Sequence, residues 1–182
     1  MGSVMPPHRR IAGAGSMNEK QGGGNDNNLF SSLICFGDFE ELLRLNLESL
    51  KWDKIKYDSG SSFSGSLRYT GGACTQDGRI IVSGGCLIST GDATNTCYET
   101  HLTKPGKFSR KKSMASRRYA HGCVSLNGYV YALGGFDNKD ADGVAPSTLD
   151  SCERFSIYEN KWNNCCGMNE GRAFAGVCPI GE

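Results

Sequence analysis

The chain has 182 residues, with 20 Lys and Arg against 19 Asp and Glu and a formal net charge of +1. So even a balance gives no electrostatic case for a nucleic-acid or membrane-surface partner. No apolar stretch approaches the roughly 20 residues of a spanning helix. The N-terminus lacks the apolar core of a signal peptide, and Pro6 stands where a myristoylation signal needs Ser or Thr.

One pattern organises the chain. Met-x3-Arg-x3-Gly occurs at Met5, Arg9 and Gly13, at Met114, Arg118 and Gly122, and at Met168, Arg172 and Gly176, while Ser64, Arg68 and Gly72 lack only the methionine. Recurrence at near-regular spacing predicts a repeat array, whose modules bury their apolar faces against one another. The first unit, 9–67, carries a polar, glycine-rich run at 17–28 where a hairpin turn is due, read as a disordered insertion. Leu29 to Phe36 then supplies a second strand, Gly37-Asp38 follows it, and Leu42 to Trp52 supplies a third and fourth. A helix over Phe39 to Leu50 competes with this reading; phase with the array favours strands.

Residues 68–85 of the second unit, 68–117, superpose on the third, 118–171, at a constant offset: Arg68 on Arg118, Tyr69 on Tyr119, Gly72 on Gly122, Gly84-Gly85 on Gly134-Gly135. In the third unit two apolar runs flank Asn127-Gly128, a hairpin signal because both turn residues must accept positive φ, and Asp77-Gly78 repeats it one unit earlier. Third strands are expected at Asn95 to Leu102 and Leu149 to Ile157, and large aromatics, Phe108 and Trp162, mark the fourth. The segment 172–182 then opens a fourth unit, with Ala173 to Ile180 as its first strand.

These residues resemble the kelch repeat. YVYALGG (129–135), LDSCERF (149–155), NKW (160–162) and MNEGR (168–172) follow the family signature, and IIVSGG with TCYET, and LICFGD with LRLNLESLKW, follow it less fully. The resemblance implies an all-β fold of kelch-type β-propeller blades: about three four-stranded antiparallel blades plus the first strand of a fourth, an incomplete propeller. Closure takes at least four blades, so the array reads as a piece of a longer protein or a truncated product. Its open blade edges are then prone to self-association.

Nine cysteines invite a metal or disulfide reading, but no Cys-x2-Cys or His-x3-His pair is present. Cys97 and Cys152 share one third-strand position, and Cys74 and Cys178 align with Val124, so cysteine here serves as a small buried hydrophobe. The vicinal Cys165-Cys166 leaves a redox role open. Such usage without glycosylation sequons predicts the cytoplasm or the nucleus. His8, His101 and His121 do not recur in phase, and no nucleophile elbow, phosphate loop or His-Glu-x2-His is present, so no catalytic residue, metal or cofactor is assigned. The basic groups Arg110-Lys111-Lys112 and Arg117-Arg118 read as a solvated loop face.

The structural signature comprises Arg9, Gly13, Arg68, Gly72, Gly84, Gly85, Arg118, Gly122, Gly134, Gly135, Trp52, Trp162, Arg172 and Gly176. Arg68, Arg118 and Arg172 are expected to tie blade connections by multidentate hydrogen bonds. The resemblance implies a protein or peptide partner held by the blade loops, in one version as the substrate receptor of a cullin-type ubiquitin ligase. The loop positions are Tyr69, Tyr119 and Phe174 after each Arg, with Cys86, Leu87, Ile88, Phe136, Asp137 and Asn138 after the diglycines. An actin-associated cytoskeletal role is the alternative, and a copper oxidase of kelch-like fold comes third.

Overall fold

The computed structural model describes residues 32–35, 41–63, 66–138 and 146–180. Arg9, Gly13, the run 17–28, Gly37-Asp38 and Ser64 lie outside the described residues. The first sheet has three described strands, β1 (Ser32–Cys35), β2 (Glu41–Asn46) and β3 (Lys51–Lys56), antiparallel in that order. The leucine-rich stretch is thus a strand and turn, because its side chains alternate: Leu42 joins the core while Leu43 and Leu45 lie on the opposite face.

The short strand β4 (Leu67–Arg68) precedes the second sheet. That sheet is built from β5 (Gly71–Cys74) and β6 (Arg79–Ser83), followed after short β7 (Cys86–Leu87) by β8 (Cys97–His101) and β9 (Lys104–Lys111). The third sheet repeats the order with β10 (Gly122–Leu126) and β11 (Tyr129–Leu133), then β12 (Phe136–Asp137), β13 (Ser147–Thr148), β14 (Cys152–Ser156) and β15 (Lys161–Cys165). Its four-stranded part runs β10-β11-β14-β15. Residues 173–180 form no strand ladder; Val177 instead packs against Gly122.

Two cores lie between sheets. Leu42 of the first sheet meets Phe63, Leu67, Ile80, Val82, Tyr98 and Phe108. On the other face of the second sheet, Ala73, Ile81 and Cys97 meet Val130, Ala132, Phe155 and Trp162 of the third. Strand alternation decides this, since Ile80 and Val82 must point away from Ile81. Both cores are thus made by apolar residues of adjacent sheets.

Both diglycines follow directly on second strands, and their geometry shows why side chains are excluded. A Cβ on Gly84 would lie 2.2 Å from the Arg118 carbonyl oxygen, and one on Gly134 would lie 2.3 Å from that of Arg172. The connection to the next unit crosses directly over the glycine pair, bonded by Gly85 N–H to Arg118 O at 2.9 Å and Gly135 N–H to Arg172 O at 2.7 Å.

The constant offset between units two and three fails upstream of Gly78. Asn127 and Gly128, at φ 51° and 78°, make a two-residue turn, with Leu126 opposite Tyr129. In unit two Gln76, Asp77 and Gly78 form a three-residue loop, closed by Thr75 N–H to Arg79 O, with Gly78 at φ 84°. One extra residue shifts everything before it. Gly71, not Gly72, therefore stands across from the end of β6 as Gly122 does across from the end of β11, and Cys74 sits opposite Ile80, the place of Ser125 rather than Val124.

Candidate functional site

The same slip relocates the arginines. Arg68 pairs with Cys86 as Tyr119 bridges Phe136, so Leu67 stands where Arg118 stands in the next unit. A row of backbone bonds fixes this register: Ala120 N–H to Tyr69 O and Phe174 N–H to Ala120 O, both 2.8 Å. Tyr69, Ala120 and Phe174 share φ values of 57°, 53° and 55°, a region that non-glycine residues seldom adopt. The recurrence marks these residues as the bend by which each unit begins.

Of Arg68, Arg118 and Arg172, it is Arg118 that makes a multidentate tie. Fully buried, it donates from Nη1 to Gly134 O at 2.7 Å and Ser151 O at 3.0 Å, and from Nη2 to Ser151 Oγ at 3.2 Å and Glu153 Oε1 at 2.9 Å. The Glu153 carboxylate also accepts the Ala115 and Ser116 N–H groups at 2.7 and 3.0 Å, so its charge is compensated from three sides. Arg68, by contrast, gives one bond, to Ile88 O at 3.2 Å, and Arg172 is exposed and paired with Glu170 at 3.3 Å. The expectation of three equivalent arginine ties therefore holds its geometry at one position, because Tyr98 occupies the Glu153 place in unit two. Glu153 escaped notice in sequence, although it lies within the LDSCERF match.

Tyr69, Tyr119, Phe136 and Phe174 come together in space. Their ring centroids lie 6.2 Å apart for Tyr69–Tyr119, 5.4 Å for Tyr119–Phe136, 5.7 Å for Phe136–Phe174 and 6.0 Å for Tyr69–Phe174, closing a four-ring circuit. It is open to solvent, with Tyr69 38% and Phe174 50% exposed. Partial desolvation, then the neighbouring Cys86 and Tyr69, raise the Tyr119 hydroxyl pKa. Ile88 is exposed nearby in chain, and Asn138 Nδ2 donates to Gly91 O at 2.6 Å, linking the loops that follow the two diglycines. Cys86 and Asp137 are buried, and Leu87 packs on the first core.

His121, absent from the partner set, is buried with Nε2 3.0 Å from Ser83 Oγ. Burial first, and then the Arg118 charge, depress its pKa to about 3. Burial likewise pushes the Cys123 thiol up to about 12 and the Cys74 thiol to about 11, where neither is a nucleophile. Cys165 is half-buried and Cys166 exposed, both as free thiols. Among the described residues no three His, Cys, Asp or Glu side chains are grouped to hold a metal ion.

The kelch motif model matches residues 117–169. Kelch-like protein 40 of Xenopus laevis is 32% identical over 93 residues, covering 50% of this chain and 15% of that protein. Kelch-like protein 35 of Mus musculus is 29% identical over 132 residues, 72% of this chain and 20% of the relative. Residues 117–169 thus carry a kelch motif, and half of the chain or more is similar to Kelch-like proteins. Its sheets also follow the solved structure of YjhT, with a TM-score of 0.61 at 14% identity over 75% of this chain and 41% of that one, a likeness of fold. The chain spans about 15–20% of the length of these Kelch-like relatives.

Proposed function

We propose that this kelch-repeat chain binds a protein partner, and that the aromatic circuit of Tyr69, Tyr119, Phe136 and Phe174 takes an apolar peptide segment of it. The carrying observation is that four rings from three successive unit starts and one loop converge at the surface. Exposed aromatics clustered on a rigid scaffold are the residues that dominate protein interfaces, since each offers a large apolar area at little cost in side-chain entropy. Two tyrosine hydroxyls at the same place can fix the orientation of a peptide backbone. We infer as the finer reading that the partner is a substrate delivered to a cullin-type ubiquitin ligase, the role that the resemblance to kelch proteins implies.

Peptide display against the immobilised chain tests the site. Selected peptides should bind Tyr69→Ser/Phe174→Ser at least about tenfold more weakly than the parent chain, and Tyr158→Ser, an exposed turn residue elsewhere, equally well. Peptides indifferent to the double substitution would sink the site. Binding to actin filaments that the double substitution abolishes would instead favour the cytoskeletal reading.

A further inference from the structure

The seam between consecutive sheets uses one device twice. Trp162, in β15 opposite Phe155, packs with Cys97 and Met114 of the second sheet, and its Nε1 donates to Lys112 O at 2.9 Å. Phe108 fills the same place in β9, against Tyr57 and Phe63 at the exit from the first sheet. Trp52 is in identical register, opposite Leu45 in β3 and two residues after a positive-φ turn residue, Leu50 at φ 52°, as Trp162 follows Asn160 at φ 50°. Yet Trp52 is 53% exposed, where Trp162 is 8% exposed.

The receiving half of the device is also present on the third sheet, where Cys152 is 4% exposed and Met168 is half-buried. On the third sheet Cys152 lies opposite Cys165 as Cys97 lies opposite Lys111. Met168 N–H bonds Asp150 O as Met114 N–H bonds Asn95 O, both at 2.8–2.9 Å. The Met168 methyl group reaches Gly134 as the Met114 methyl reaches Gly84. The carbonyl that corresponds to Lys112 O belongs to Cys166. Because Val130, Ala132 and Phe155 face the second sheet, this slot opens on the opposite face of the third.

We propose that a second copy of this chain docks its first sheet on the outer face of the third, head to tail, with the Trp52 indole between Cys152 and Met168 and Nε1 donating to Cys166 O. The chain thus carries a donor and an acceptor half of the seam it already forms internally. Such a contact is heterologous, so one copy's Trp52 meets a different surface of its partner. Both a closed pair and a longer series use it.

The chain has two tryptophans, so Trp162→Phe leaves Trp52 as the sole indole. Its fluorescence should shift to the blue with rising micromolar concentration, in step with association seen by sedimentation. Trp52→Asp changes an exposed side chain and should leave a folded monomer, with affinity reduced at least about a hundredfold. Met168→Asp should do the same from the other side. Mixing the two variants should restore a one-to-one complex, since one keeps its slot and the other its tryptophan. A parent chain that stays monomeric, association unaffected by Trp52→Asp, or variants that fail to complement would each overturn the proposal; if Met168→Asp does not fold, Trp52→Asp and the fluorescence shift decide alone.

Discussion

The crossings between the first and second sheets and between the second and third have the same path and opposite chemistry. At the first, Tyr57, Phe63, Tyr98 and Phe108 stack at ring separations of 5.1–5.9 Å, with Leu67 buried beside them. At the second, the corresponding Leu67 and Tyr98 places hold Arg118 and Glu153, a buried ion pair whose Nη groups make charge-assisted hydrogen bonds. Two solutions of one volume show that the architecture demands a filled crossing, and that the filler can be apolar or ionic. The ionic filler must recover a desolvation cost that a ring cluster does not incur, so burying the pair is not by itself a gain in stability.

The largest expected effect comes from halving the ion pair. Arg118→Ala leaves the Glu153 carboxylate buried without its counter-charge, at about 3–5 kcal/mol, read as a fall in the urea midpoint. Arg118→Leu/Glu153→Tyr rebuilds the first crossing in the second. Its cost should fall well short of the summed single costs, the remainder being about 1–3 kcal/mol for the Ala115 and Ser116 N–H groups left unpaired. Additive losses would mean that the two crossings are not interchangeable solutions.

The difference between the crossings also explains what the sequence disclosed. The blades, the diglycines and the buried Trp162 were legible because each is set by a local pattern: period-two alternation, paired glycines, an in-phase aromatic. The register upstream of Gly78 was not, since one added loop residue leaves the turn signal Asp77-Gly78 intact while moving Arg68 out of the Arg118 place. Trp52 reads in sequence like Trp162, yet its exposure depends on which surface faces it, a property of the neighbour. The aromatic circuit was half legible: its members follow from the repeat, whereas the inward turn of Cys86 and Asp137 depends on two-residue strands below the resolution of any periodicity.

An intermediate effect separates the crossings by pH. His121 sits by the ionic crossing, and Thr70 occupies the corresponding place at the start of the second sheet. With its folded pKa depressed to about 3, His121 stays neutral in the fold while the unfolded chain takes up a proton below about pH 6.5. Its contribution is therefore complete above that value and lost as pH falls toward 3, at up to about 1.4 kcal/mol per pH unit. Between pH 6.5 and 5, before most carboxylates titrate, His121→Thr should flatten the dependence of unfolding free energy on pH. A slope that survives the substitution would assign it to other groups.

The smallest effect bears on the aromatic that both crossings share. Phe108 shows that a phenyl ring can fill the fourth-strand position, and Trp162→Phe places the same ring at the second seam. The change gives up the indole bond to Lys112 O and part of the buried area against Phe155, whose ring lies 5.2 Å away. The expected cost is about 1–2 kcal/mol, against about 3–5 kcal/mol for Trp162→Ala, where the seam is left with a cavity. The reciprocal Phe108→Trp must fit a larger ring between Tyr57 and Phe63 and should cost about 1–3 kcal/mol by overpacking. Thermal midpoints of the three variants, measured side by side, rank volume against hydrogen bonding at the seam. If Trp162→Phe fell as far as Trp162→Ala, the Lys112 carbonyl bond rather than the filled volume would hold the second and third sheets together, and the two aromatics would be alike in position only.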